Sequence, residues 1–239
     1  MKKSSEKNIK AIDFFWGAGG LSCGFKQAGI KIIGGIDIDN SFKETYENNI
    51  KSKFLHSNIS DIDEKTLSKE FNIDKNQNEL IFVGCSPCQF YSNIKTDKTK
   101  SGKTRLLLED FQKLVEYFNP GYVFIENVPG FDKNGESPIG KFKSFLIDKG
   151  YFYKDGILNA KHFGVPQNRR RYILIASRIN NQISFPEPDK KNIKTVFTAI
   201  GDQTLFKPIK AGEIDISDFM HSSANLSDLN LKRIIKTPK

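Results

Sequence analysis

Residues Ile9–Asp37 read IKAIDFFWGAGGLSCGFKQAGIKIIGGID, and this stretch decides the fold. IKAIDFF (Ile9–Phe15) is a short, nearly continuous apolar run of the kind that forms a strand buried on both faces. The glycines of WGAGG break it with a tight turn. LSCGFKQAG then reads as a helix stopped at Gly29, where a residue free to adopt the left-handed region ends a helix cheaply. IKIIGGID (Ile30–Asp37) is a second apolar run. Strand, turn, helix and strand within some thirty residues make a βαβ unit, whose two strands are parallel.

The same alternation continues downstream. SFKETYENN predicts a helix with Ser41 as its cap, and KFLHSN a short third strand. ELIFVGCS is a fourth strand and GYVFIENV (Gly121–Val128) a fifth, after the helical run RLLLEDFQKLVEYFNP. YFYKDGILNA and RYILIASR add two more strands. Apolar strands separated by helices predict an α/β, doubly wound, mostly parallel sheet. From about Asn180 the pattern weakens, and LSDLNLKRII is the last helical candidate. We therefore expect a domain over residues 1–180 and a distinct region over 181–239. The lysine-rich first residues read as a frayed tail.

A chain of 239 residues with 37 basic and 28 acidic side chains carries a formal charge of +9, which favours a polyanionic partner, although a lysine-rich proteome would give the same balance. Three cysteines (Cys23, Cys85, Cys88) and the absence of a signal-like or membrane-length apolar run predict a reducing, cytoplasmic setting without a membrane partner.

In open α/β sheets ligands bind beyond the carboxyl ends of the strands. The first strand is followed there by Phe15-Trp16-Gly17-Ala18-Gly19-Gly20, a turn whose backbone can approach a ligand. The second ends at Asp37, about twenty residues on, where a nucleotide-binding fold places an acid for ribose hydroxyls. The fourth delivers GCSPCQFYS (Gly84–Ser92), the fifth Glu126-Asn127-Val128, and a later loop VPQNRRR. A thiol, a carboxylate and arginines from three strand ends suit nucleophilic attack on an electron-poor ring. Cys85 and Cys88 also have CxxC spacing. A zinc site, however, needs four ligands, and the remaining Cys23, His56, His162 and His221 contain no second close pair. A redox pair usually opens a helix, whereas Pro87 and the polar continuation favour a loop. No metal is expected. Cys85 then reads as a small buried hydrophobe, and His162 and His221 as structural residues.

In their order, DFFWGAGGLSCGF, the acid after the second strand, GCSPCQFYS, ENV and QNRRRYILIAS make the chain resemble the cytosine-specific DNA methyltransferases that modify carbon 5 of the base. The resemblance implies a Rossmann-like methyltransferase fold, S-adenosyl-L-methionine as cofactor, double-stranded DNA as partner and a flipped-out cytosine. It implies a catalytic set of Cys88 as nucleophile on carbon 6, Glu126 at ring nitrogen 3 and the exocyclic amine, Arg169 as a supporting group, and Arg171 holding the base oxygen and orienting the thiol. It assigns the cofactor to Phe15, Ala18, Gly19, Gly20, Asp37, Ile38, Asn58, Ile59, Pro87 and Leu107. Asn58 stands where the family carries an acid. Substrate contacts are expected from Gln89, Ser92, Lys95, Lys98, Lys100, Asn127 and Gln167. The basic run Lys95, Lys98, Lys100, Lys103 and Arg105 reads as a loop that closes over phosphates.

The family's later motifs and target recognition region have no counterpart before LKRIIKTPK. Residues 181–239 are thus expected to lead toward such a region, and the chain is expected to be either half of a split enzyme completed by a second polypeptide or a truncated form, within a restriction-modification system. A transfer-RNA cytosine-5 methyltransferase and a non-catalytic cofactor-binding remnant are the alternatives.

Overall fold

Strand β1 (Lys10–Phe14) lies in the interior of the sheet, paired in parallel with β2 (Lys31–Asp37) on one side and β4 (Leu80–Gly84) on the other. The computed structural model describes residues 8–85, 101–132, 138–217 and 221–237. With β3 (Lys53–His56), β5 (Tyr122–Asn127), β6 (Phe152–Asn159) and β7 (Arg170–Ser177), these strands form a seven-stranded sheet in the order β3-β2-β1-β4-β5-β7-β6. The first five strands run parallel. β7 is antiparallel to both β5 and β6, so the two late strands run in opposite directions.

Burial on both faces follows from the alternation of side chains along each strand. Ile12 and Phe14 of β1 and Leu80 and Phe82 of β4 pack into one apolar cluster with Leu67, Phe111 and Phe142. Ala11 of β1 and Ile81 and Val83 of β4 join a second cluster with Trp16, Tyr46 and Phe54. The helices that cover these faces are α1 (Gly20–Gln27), α2 (Lys43–Ile50), α3 (Glu64–Phe71), α4 (Ser101–Phe118) and α5 (Pro138–Asp148).

Helix α1 ends as its sequence suggests. Gly29 has φ +82°, and the N–H groups of Gly29 and Ile30 bond to the carbonyls of Lys26 and Phe25, a Schellman closure. The second helix starts differently from the sequence expectation. Asp39, not Ser41, is the capping side chain: its Oδ1 accepts the Ser41 N–H at 2.9 Å and opens a short 3₁₀ turn ahead of α2. Aspartate reaches its own backbone two residues on, so the cap falls earlier. Helix α4 begins at Ser101, so the basic stretch read as a loop is helical at Lys103 and Arg105.

Two aromatic rings press onto the sheet where β2 carries Gly34 and Gly35. A Cβ on Gly35 would lie 2.0 Å from the Trp16 ring, and one on Gly34 would lie 2.1 Å from Phe71. The glycine pair admits one ring on each face.

The described chain divides into two compact units, one running up to Asn159 and including Arg170–Glu187, the other comprising Ala160–Arg169 and the chain from Pro188 onward. The first holds the whole sheet. The second contains α6 (Val196–Ile200), closed by a reciprocal Thr195/Thr198 capping box, and α7 (Asp228–Ile235), capped by Ser227. No helix among the described residues is long and apolar enough to cross a membrane.

Overpacking at Trp16 predicts that Gly35→Ala lowers stability by about 1–3 kcal/mol. Gly24→Ala, in the middle of α1 with nothing within 4 Å of the added carbon, should raise it by about 0.5–1 kcal/mol. Urea unfolding midpoints of the two variants check both signs.

Candidate active site

The order of the strands reverses between β1 and β4, which is where a doubly wound sheet opens a crevice. A cleft of about 580 Å³ lies there, walled by the ends of β1 (Phe14, Phe15, Gly17), β2 (Ile36, Asp37, Ile38), the turn after β3 (Ser57, Asn58, Ile59, Ser60), Cys85 beyond β4, and Leu106 and Leu107 of α4. Six of the residues assigned to the cofactor from sequence line it: Phe15, Asp37, Ile38, Asn58, Ile59 and Leu107. Ala18, Gly19 and Gly20 do not. Gly19, at φ +85° and with Tyr46 2.9 Å from where its Cβ would stand, is required by packing as the residue that opens α1. Pro87 lies outside the described residues.

Asp37 is the polar centre of the cleft wall. Its Oδ2 accepts the Gly17 N–H and its Oδ1 the Asp39 N–H, each at 2.9 Å. Asp39 in turn is held below the usual carboxylate range by the Ser41 hydroxyl and N–H. Phe15, between these groups, has φ +64° and donates its N–H to the Ile36 carbonyl. A bulky residue in the left-handed region is a strained conformation, and such strain concentrates at working sites. Asn58 spends its amide oxygen on the Ser60 N–H at 3.3 Å, which caps the next 3₁₀ turn. The Ser60 hydroxyl donates to Asp110 of α4 at 2.8 Å and so ties that wall to the long helix.

Behind the glycine turn, Asp13 is buried, with 1% of its surface exposed. The Ser22 hydroxyl donates to its Oδ2 at 2.6 Å, and Tyr46 donates to Ser22 at 3.5 Å. Burial raises the Asp13 pKa to about 7; the Ser22 bond lowers it, and the nearby Asp37 charge raises it further.

Next to the Cys85 wall of the cleft stands Glu126, the fifth-strand acid singled out from sequence. Pairing of Gly84 with Ile125 brings Cys85 beside it, and the Cys85 thiol donates to Glu126 Oε2 at 2.8 Å. β7 supplies Arg171, whose Nε bonds Glu126 Oε1 at 2.9 Å. The register explains this choice: Glu126 faces Ile173, and Arg171 lies two residues away on the same side of β7. The Arg171 Nη1 also donates to the Arg170 carbonyl at 2.8 Å.

Other expected residues are distributed differently. Arg169 and Gln167 are exposed and belong to the second unit. Asn127 is buried, with its Oδ1 accepting the Val128 N–H at 2.8 Å. Cys88, Gln89, Ser92, Lys95, Lys98 and Lys100 lie outside the described residues. Cys85, read from sequence as a buried hydrophobe, is instead half-buried, on the cleft wall and bonded to Glu126. Its polar strand-end position was the signal that could have found it. Gly17, Ser57, Ser60 and Leu106 were also missed, although each adjoins a residue that was assigned. His56 bonds the Ile38 carbonyl at 2.9 Å, and His221 faces Asp215 at 3.4 Å. Among the described residues no group of three or more His, Cys, Asp or Glu could hold a metal ion.

Comparisons with known proteins agree on one family. The model of the C-5 cytosine-specific DNA methylase family matches residues 9–234. The type II methylase M.HgiDII of Herpetosiphon aurantiacus is 33% identical over 93% of this chain and 62% of its own length. The type II methyltransferase M1.HphI of Haemophilus parahaemolyticus is 30% identical over 95% of this chain and 60% of its own. The chain thus spans about 60% of the length of these relatives. A prophage-encoded E. coli protein of known structure shares the fold with a TM-score of 0.69 at 24% identity, over 86% of this chain and 57% of that one. None of these matches supports a second polypeptide.

The Asp13 carboxyl sets a pH dependence. Because its folded pKa is about 7 against an ordinary 3.8, the folded state holds a proton that the unfolded state has lost, and its contribution to stability falls as pH rises between these values. Asp13→Asn is expected to flatten the decline in stability between pH 4 and pH 7, read from urea unfolding at a series of pH values.

Proposed function

The chain belongs to the C-5 cytosine-specific DNA methylase family, and on that footing we propose that it is the catalytic part of a DNA cytosine-5 methyltransferase of a restriction-modification system. The observation that carries this reading is the contact of Glu126 with Arg171 and with Cys85, the last a wall residue of the cleft that Asp37 and Phe15 line. A carboxylate and a guanidinium in contact at a strand end can hold the polar edge of one planar base.

The cleft fits S-adenosyl-L-methionine. Phe15, Ile38, Ile59 and Leu107 offer apolar walls for an adenine ring. Among the described residues each Asp37 oxygen accepts one backbone N–H, and a second lone pair on each suits a ribose hydroxyl. When bound, the cofactor supplies an electrophilic methyl group.

The chain's own residues carry the remaining chemistry. The Cys88 thiolate adds to carbon 6 of a flipped-out cytosine, which makes carbon 5 electron-rich. Glu126 shares a proton with ring nitrogen 3 and accepts from the exocyclic amine, and that proton stabilises the negative charge that moves onto the ring. Arg171 holds the carbonyl oxygen of the base while keeping Glu126 in place. Loss of the carbon 5 proton and elimination of the Cys88 sulfur release the product. Double-stranded DNA is the substrate, and Lys95, Lys98 and Lys100, with Gln89, Ser92 and Gln167, contribute contacts to it.

Covalent trapping tests the reading. A duplex with 5-fluorocytosine at the target should attach to the chain in the presence of cofactor, Cys88→Ser should abolish the adduct, and Cys85→Ser should retain it, as read by denaturing gel. Absence of any adduct with the wild-type chain overturns the proposal. Asp37→Ala should weaken cofactor binding by about tenfold or more, the loss of a charged hydrogen-bond partner, measured by calorimetry.

A further inference from the structure

Both oxygens of Glu126 are engaged by protein donors, Oε1 by Arg171 Nε at 2.9 Å and Oε2 by the Cys85 thiol at 2.8 Å. The two bonds are unequal. The guanidinium bond is charge-assisted, whereas a thiol is a weak donor. A base that presents its exocyclic amino N–H to Glu126 therefore displaces the thiol and leaves the arginine bond intact. Cys85 is suited to this by its position. The parallel register fixes its backbone next to Glu126, its N–H approaches the Phe14 carbonyl at the end of β1, and its side chain lines the cofactor cleft.

We propose that Cys85 is a positioning residue: its thiol holds Oε2 of Glu126 on the cleft side until a base donor takes its place. The proposal rests on the methyltransferase reading above, because it assigns Glu126 a base to meet. It explains the residue type. A serine hydroxyl in the same place donates more strongly and competes with the base, and an alanine leaves the carboxylate oxygen unheld.

Two measurements test it. In the full chain carrying Cys23→Ser and Cys88→Ser, Cys85 is the only one of the three cysteines left. Its alkylation by iodoacetamide, without DNA or cofactor, should be slow, since a thiolate beside the Glu126 carboxylate is repelled. Adding Glu126→Gln should speed alkylation about three- to tenfold. In steady-state methyl transfer to duplex DNA, Cys85→Ala should lower kcat about three- to tenfold with KM nearly unchanged, the loss of one neutral hydrogen bond. Cys85→Ser should keep kcat and raise KM for DNA. An alkylation rate indifferent to Glu126→Gln overturns the contact. A wild-type kcat in Cys85→Ala overturns the positioning role, as does an equal loss in both variants, which is the signature of packing alone. A wild-type chain that transfers no methyl group overturns the functional reading and the role with it; the alkylation arm, read without substrate, shows whether the contact itself stands.

Discussion

The hydrogen bond from the Gly17 N–H to Asp37 Oδ2 joins the first turn of the chain to the end of its second strand, and the cleft is laid out from it. It requires β1 and β2 to end level, which the pairing of Phe14 with Ile36 provides. The other neighbour of β1 is set by the same residue, since Phe14 pairs with Gly84 of β4. Gly84 then faces Ile125, and so Cys85 and Glu126 emerge together. A shift of one residue in any of these pairings would turn the functional side chains to the opposite face. The apolar residues that fill both faces hold the register, because the same shift would also exchange the side chains of the two clusters.

The site keeps features that weaken the fold. Phe15 occupies the left-handed region at a cost of about 1–2 kcal/mol. Asp13 lies buried with one oxygen bonded to Ser22 and the other without a side-chain hydrogen-bond partner among the described residues. Both surround the glycine turn, and both are tolerated because the packing beneath is dense. Trp16 sits against Gly35, Tyr46 against Gly19, and Phe14 against Phe82 with ring centroids 5.1 Å apart. Apolar burial on both sheet faces thus fixes a turn that its local conformational preference would not select.

The strands were legible in the sequence because β1, β4 and β7 each carry a mostly apolar run, interrupted in β1 by Asp13 and opened in β7 by two arginines. Strand direction was less so. An apolar run carries no sign of whether its neighbour is parallel, and the antiparallel pairing of β6 with β7 had to come from the structure. Helices α3 and α5 escaped notice because their anchors are sparse. α3 buries only Leu67 and Phe71 within a charged run, and α5 places Ile139, Phe142 and Leu146 among lysines and a glycine. Asp37 and Glu126 were found because each is an acid directly at a strand end. Cys85 was not, because a thiol directly after an apolar strand has the composition of a core residue, and its partner lies 41 residues away.

The two arginines at the start of β7 show why residue spacing there carries information. Arg170 pairs with Asn159 of the neighbouring strand and is exposed, while Arg171 shares a face with Ile173 and so with Glu126. Strand periodicity therefore separates adjacent, chemically identical side chains into different roles. The residue type matters as much as the parity. Arg171 reaches Glu126 through Nε and its own chain's Arg170 carbonyl through Nη1 at the same time. A lysine ammonium at the end of a flexible stem could make either bond, but it lacks a planar fork to fix the direction of both. The guanidinium thus orients the Glu126 carboxylate while its own plane is pinned by backbone. A pair held from both ends in this way keeps its geometry when the weaker thiol bond on the other oxygen is exchanged.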